Sequence, residues 1–276
     1  RVLFRSKNVL CYLRLLHLQT SVVKLLALSK ANFMKLICLT FLLSFSIMAN
    51  AQTLTHNQLQ FERVKNAYDE KWTSLREVRS KFSIGHSPLM LINAYKAEKT
   101  LEVWMKNPGD KFYRLIKVYE FCASSGLLGP KVIEGDKQTP EGFYYINVLN
   151  PMSNYHLSLG INYPNHVDIE RTGKQNSPGG DIYIHGSCET IGCIPLTDDK
   201  IKELYLLAIF STDLKTKKIP VNIYPFKMTE ENMKKYAIQF PAHVDFWKTL
   251  QQGYLAFEKD KNAINFKVAK GKYIVK

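Results

Sequence analysis

Asp181-Ile182-Tyr183-Ile184-His185-Gly186-Ser187-Cys188-Glu189-Thr190-Ile191-Gly192-Cys193-Ile194-Pro195-Leu196 is the stretch from which the rest of the chain is read. Its first five residues predict a strand ending on His185. A polar loop follows, and Cys193 sits directly after its second glycine. A thiol needs a base to become a thiolate near neutral pH, and histidine is the usual one. Gly192 lets the backbone turn tightly, so that successive N–H groups converge as an oxyanion hole requires. Several readings fit this spacing. Cys193 and His185 form a nucleophile–base pair, or Cys188 and Cys193 close a short structural disulfide. Alternatively the three side chains hold a metal, although the spacing matches no common zinc pattern. His185 as a strand-end histidine bonded to backbone is the plainest alternative.

Outward from this loop the chain alternates short strands with turns. Leu89–Tyr95 and Thr100–Met105 flank a turn at Lys96–Lys99. Lys111–Tyr119, Phe143–Leu149, Tyr155–Ile161 and Ile219–Tyr224 read as further strands, separated by Gly and Pro clusters. Residues 57–82 repeat apolar positions every three or four, which predicts an amphipathic helix. A second helix is expected at 198–210, with Thr197 as its N-cap and Asp198 and Asp199 at its positive end. Two more are expected near 230–237 and 243–258, then a last strand or hairpin in Asn265–Val275. The fold class is mainly β with helical flanks, α+β. Residues 52–88 form an N-terminal helical segment, 89–226 the catalytic domain and 227–276 a C-terminal helical extension.

The chain has 276 residues, 46% hydrophobic, 22% charged and 12% aromatic, which excludes a disordered, collagen-like or multi-spanning membrane protein. Its net charge is +14, unevenly placed. Residues 1–51 hold seven of the 38 Lys and Arg and no Asp or Glu, so 31 basic and 24 acidic residues remain. That balance describes a solvated, mildly basic surface, with at most weak attraction to an anionic polymer and no nucleic-acid site. Met34-Lys35, an apolar run to Met48, and Ala49-Asn50-Ala51 describe a signal peptide over 34–51 cleaved after Ala51. The run is too short for a membrane span, so no stable span is expected after cleavage. Residues 1–33 read as a non-native adapter or, alternatively, an upstream leader. Export to the periplasm or cell envelope leaves Cys122, Cys188 and Cys193 in an oxidising compartment. Three is odd, so at least one thiol is free or paired to another chain. Cys122, beyond a strand, reads as a buried or idle thiol.

The quoted stretch resembles the catalytic signature of the L,D-transpeptidases of the YkuD type. That signature is an apolar strand, His-Gly, a loop, then Ser/Thr-x-Gly-Cys. Here it reads Ile184-His185-Gly186 and Thr190-Ile191-Gly192-Cys193-Ile194. Gly135 to Tyr144, containing Thr139-Pro140-Glu141-Gly142, resembles the family's Thr-Pro-x-Gly-x-Tyr element. Ser158–Asn165 and Gly179-Gly180-Asp181 are similar to the branch named after YafK. Two departures stand out: His185 and Cys193 are only eight apart, and Pro195 stands where many members have Arg.

The resemblance implies a YkuD-like β-sandwich and acyl transfer on peptidoglycan stem peptides. Cys193 would be the nucleophile and His185 the general base and acid. The carbonyl of Gly186 or Ser187 would orient the imidazole, and backbone N–H groups of Ile191, Gly192 and Cys193 would hold the oxyanion. No metal or organic cofactor is implied. The partners are peptidoglycan stems and an amine acceptor or envelope protein. Alternatives are a hydrolase of the same fold, trimming stems or releasing a bound molecule, and an inactive wall-binding module with Cys188 and Cys193 locked together.

Overall fold

The structure, a computed structural model, describes residues 54–211 and 218–276; the expected leader and signal segment, 1–51, lie outside them. Eight strands form one sheet in the order β3-β2-β1-β8-β4-β5-β6-β7. They are β1 (Leu89–Tyr95), β2 (Thr100–Lys106), β3 (Arg114–Glu120), β4 (Gly142–Asn150), β5 (Ser158–Ile161), β6 (Tyr183–His185), β7 (Ile194–Pro195) and β8 (Pro220–Tyr224). β1 lies parallel to β8, and β6 parallel to β7. The remaining pairs are antiparallel.

β4 joins the two halves of the sheet. Gly142–Tyr145 pair with β8, whereas Ile146–Asn150 pair with β5 after a register shift between Ile146 and Val148. A bulge bends its strand and increases the local twist, so the sheet curls over a core that includes Ile92, Val103, Leu159, Ile184 and Val221. The result is the α+β fold that the strand and helix pattern predicts, with the sandwich-type curl that the family resemblance implies.

Two helices, the first and the third in chain order, cover one side. In α1 (Glu62–Lys81), Val64, Ala67 and Leu75 are buried. α2 (His166–Thr172) follows β5, and α3 (Asp198–Ile209) follows β7. Thr197 caps α3 by accepting the Lys200 N–H, as its sequence predicts. α1 and α3 are tied by the Lys71–Asp199 and Lys202–Glu70 ion pairs, and Trp72 stacks on Phe210 at 4.0 Å. On the other side lie α4 (Glu230–Gln239), α5 (Val244–Asp260) and the hairpin β9 (Phe266–Ala269) and β10 (Lys272–Val275). They close a second core around Trp247, Tyr224, Phe226 and Tyr95.

Differences from the expected elements are local. β3 starts at Arg114 because Asn107 and Asp110 form a turn and Tyr113 N–H donates to Lys261 O instead of a strand neighbour. β5 starts at Ser158, since 153–156 is a loop with His156 at φ 66°. α2 was not anticipated. Its signal was the capping box of Asn165 and Asp168.

Candidate active site

The connection between β6 and β7 is unusually direct. Parallel neighbours normally need a crossover of about a dozen residues or more, yet residues 186–193 suffice here. Three local features permit it. Ser187 adopts φ 64° and its N–H donates to Asp198 Oδ1 at 2.8 Å. Gly186 passes so close to that carboxylate that a Cβ would lie 2.6 Å from Asp198 Oδ1. Gly192 has φ 141° and lies against the Gln138 carbonyl, where a Cβ would stand 3.0 Å away.

The register then places the reactive side chains. Ile184 pairs with Ile194 and His185 with Pro195. Ile184 and Ile194 are buried in the core. Alternation therefore puts Tyr183, His185 and Cys193 on the opposite face. His185 is 2% exposed. Its Nδ1 donates to Gly186 O at 2.5 Å, which leaves Nε2 as the proton-accepting nitrogen. Tyr155 covers the ring at 4.6 Å. The Gly186 carbonyl, not that of Ser187, holds the imidazole.

Cys193 is a half-buried free thiol. Its Sγ accepts from Tyr183 N–H at 3.4 Å and donates to Asp181 O at 3.6 Å. The turn before it is locked by Thr190, whose hydroxyl donates to Cys193 O at 2.8 Å and accepts Gly192 N–H at 3.1 Å. Gly192 N–H is thus engaged within the turn, while Ile191 is 78% exposed. Burial pushes the thiol pKa up, against a smaller downward pull from Tyr183 N–H and Lys131. Burial also pushes the His185 pKa down, partly offset by Gly186 O. Both shifts favour a neutral resting pair, thiol and imidazole.

Cys122 and Cys188 form a disulfide across 66 residues of sequence, with a Cα–Cα distance of 5.3 Å. This corrects two readings: Cys188 does not pair with Cys193, and Cys122 is not an idle thiol. The cause is long-range. Cys122 N–H donates to Pro195 O at 3.1 Å, which carries the end of β3 alongside the 186–193 loop. The metal reading loses one of its three ligands, since Cys188 Sγ is bonded to Cys122.

A groove of about 240 Å³ opens on Cys193, lined also by the loop 121–128, Lys96, Thr139 and Phe240. Behind it lies a buried polar hub. The Glu141 carboxylate, fully buried, accepts from Lys96 Nζ at 2.9 Å, Gly129 N–H at 2.7 Å and Trp247 Nε1 at 2.8 Å. Lys96 also donates to Gly129 O and Thr139 O. The Thr139-Pro140-Glu141-Gly142 element therefore braces the groove, and α5 braces that element. On the histidine side, Arg63 of α1 donates to Ser153 O at 2.6 Å and His156 O at 2.9 Å, holding the loop that presents Tyr155. Arg63, Tyr155 and Trp247 were not singled out from the sequence as site residues. Nothing in their local pattern distinguishes them from ordinary surface or core positions.

The curled sheet thus carries a buried histidine and a free cysteine at the two ends of its tight β6–β7 crossover. The chain belongs to the L,D-transpeptidase family: residues 90–223 match the family described as YkuD, L,D-transpeptidase catalytic domain. Among curated relatives it is 36% identical over 186 residues to the "Putative L,D-transpeptidase YafK" of Escherichia coli (strain K12), covering 67% of this chain and 72% of that protein. Among solved structures it is similar to the helical cell shape determining protein Pgp2 from Campylobacter jejuni, at 20% identity and TM-score 0.41, covering 67% of this chain and 74% of that one. It is also similar to Bd1075 of Bdellovibrio bacteriovorus, at 19% identity and TM-score 0.35, covering 68% and 76%. No helix among the described residues is long and apolar enough to cross a membrane.

Proposed function

We propose that the protein is an exported enzyme of the cell envelope that transfers acyl groups of peptidoglycan stem peptides through a thioester on Cys193. The observation that carries this reading is the shared sheet face of Cys193 and His185, with Nδ1 of the imidazole tied to Gly186 O and Nε2 left as base. Because the resting pair is neutral, thiolate forms only as substrate arrives. Sγ turns from Asp181 O toward Nε2, gives up its proton and attacks the carbonyl of the third stem residue, a diamino acid. N–H groups of Ile191 and Cys193 receive the oxyanion; Gly192 N–H joins them once it leaves the Thr190 hydroxyl. Collapse breaks the C–N bond to the fourth residue, and the departing amine takes the proton from His185. An incoming amine then attacks the thioester, passes its proton to Nε2, and the thiol is restored.

Hydrolysis is the second reading, favoured by one observation: Cys193 is only half-buried, so water has access to the thioester. Mass spectrometry of tetrapeptide stems, incubated with the protein with and without an amine acceptor, separates the two. Transfer predicts a product carrying the acceptor. A tripeptide as sole product, at all acceptor concentrations, would favour hydrolysis. Unchanged stems would defeat both.

A further inference from the structure

The groove beside Cys193 is lined by two lysines and by no carboxylate. The two are not equivalent. Lys96 is 7% exposed and spends its three ammonium protons on Glu141, Gly129 O and Thr139 O. Lys99 is exposed, and its ammonium has no hydrogen-bond or ion-pair partner among the described residues. Its backbone is nevertheless fixed. Lys99 N–H donates to Lys96 O, its carbonyl accepts Phe121 N–H, and its φ is 54°. Ser125, in the same lining, has a buried hydroxyl with no partner. Buried polar atoms are nearly always satisfied, and this one has no partner among the described residues. The rest of the lining is small or apolar, including Phe121, Leu127 and Phe240. An unmatched cation and an unmatched hydroxyl in an apolar groove suit a carboxylate borne beside a small side chain. Pro195, at the place where many family members carry Arg, is buried and has no charge to offer.

We propose that Lys99 and Ser125 form a carboxylate-binding subsite that anchors the stem peptide next to Cys193. The proposal rests on the reading of Cys193 as the acceptor of a stem peptide. Two carboxylates of such a stem lie on the residues either side of the bond that Cys193 attacks, and these are the candidates: the C-terminal one of the fourth residue, and the free one at the far end of the diamino acid. Lys99 supplies the charge and Ser125 a directed hydrogen bond.

The test is calorimetric binding to the full chain carrying Cys193→Ala, so that the peptide stays intact. Three probes are used: the free-acid tetrapeptide stem, its C-terminal amide, and the stem amidated at the diamino-acid carboxylate. One of the amides should bind about tenfold more weakly than the free acid, the lower end for a charge-assisted hydrogen bond, and which one identifies the carboxylate. Adding Lys99→Ala should bring all three probes within about twofold of one another, whereas Lys99→Arg should preserve the preference. Ser125→Ala should cost the free acid about tenfold, as expected for a hydrogen bond to an ionised acceptor. Free-acid binding unaltered by Lys99→Ala, both amides binding as tightly as the acid, or no binding of any probe would overturn the subsite. Protein that discriminates acid from amide but never acylates Cys193 keeps the subsite and loses the chemistry. Protein that acylates Cys193 while ignoring Lys99 does the reverse.

Discussion

The two flanking helical segments both cover apolar surface, but they brace different halves of the site. α1 packs on α3 and reaches the histidine side through Arg63, which grips the loop presenting Tyr155 to His185. The C-terminal segment reaches the groove, with Phe240 in its lining and Trp247 bonded to Glu141. One contact is an exposed cation on two carbonyls. The other is a fully buried indole on a buried carboxylate. Burial decides which is worth more, because an unpaired buried charge has no water to fall back on. The seam between the halves is the Cys122–Cys188 disulfide, which joins the groove wall to the loop after His185.

The largest effect is therefore expected at Trp247. Trp247→Ala should destabilise the protein by about 3–5 kcal/mol, from the cavity and the lost bond to Glu141. Urea unfolding followed by circular dichroism measures this. A loss under about 1 kcal/mol would mean that the C-terminal segment is a passive cover.

Cys188→Ala is next. It frees a 66-residue loop, and chain entropy sets the loss at about 4 kcal/mol or less. Turnover of tetrapeptide stems should persist in the folded fraction, since Cys188 is no part of the proposed chemistry. Complete loss of activity in folded Cys188→Ala protein would give the disulfide a catalytic role.

These two contacts also show where the sequence stops being readable. The strand alternation, the Thr197 cap and the His185–Cys193 spacing are local, and local pattern is what sequence displays. The Cys122–Cys188 bond spans 66 residues and the Glu141–Trp247 bond 106, and each depends on how β4 and the flanks fold back on the sheet. β7, two residues long, carries no periodicity at all and exists because His185 O accepts Leu196 N–H at 2.7 Å beside β6. In the site, Cys193 and His185 were legible, and so was the Gly186 carbonyl as one of two candidates. The commitment of Gly192 N–H to Thr190 was not, because hydroxyl orientation follows from the finished turn.

The histidine side should respond in rate rather than stability. Arg63→Ala removes an exposed contact worth about 1 kcal/mol or less. It should lower kcat a few-fold at unchanged KM, by loosening Tyr155 over the imidazole. A change in KM alone would place Arg63 on the substrate side instead.

The smallest expected effect is a displaced pH profile. Burial disfavours the imidazolium, so His185 stays neutral to below its ordinary value of 6.5. The acid limb of kcat/KM should accordingly lie below pH 6.5, and activity should fall only as pH drops through it. Tyr155→Ala opens the ring to water and should move that limb upward, toward 6.5. An acid limb above 6.5 in the unaltered protein would contradict a base held neutral by burial.

The most direct test is of the acyl-enzyme itself. The full chain is incubated with a tetrapeptide stem, or with a carbapenem as the acylating probe that the family resemblance suggests, and the adduct is mapped by peptide mass spectrometry. The expected result is added mass on one peptide, that containing Cys193, with none in Cys193→Ala and no turnover in either Cys193→Ala or His185→Ala. An adduct on another residue, or undiminished turnover without the Cys193 thiol, would contradict the assignment.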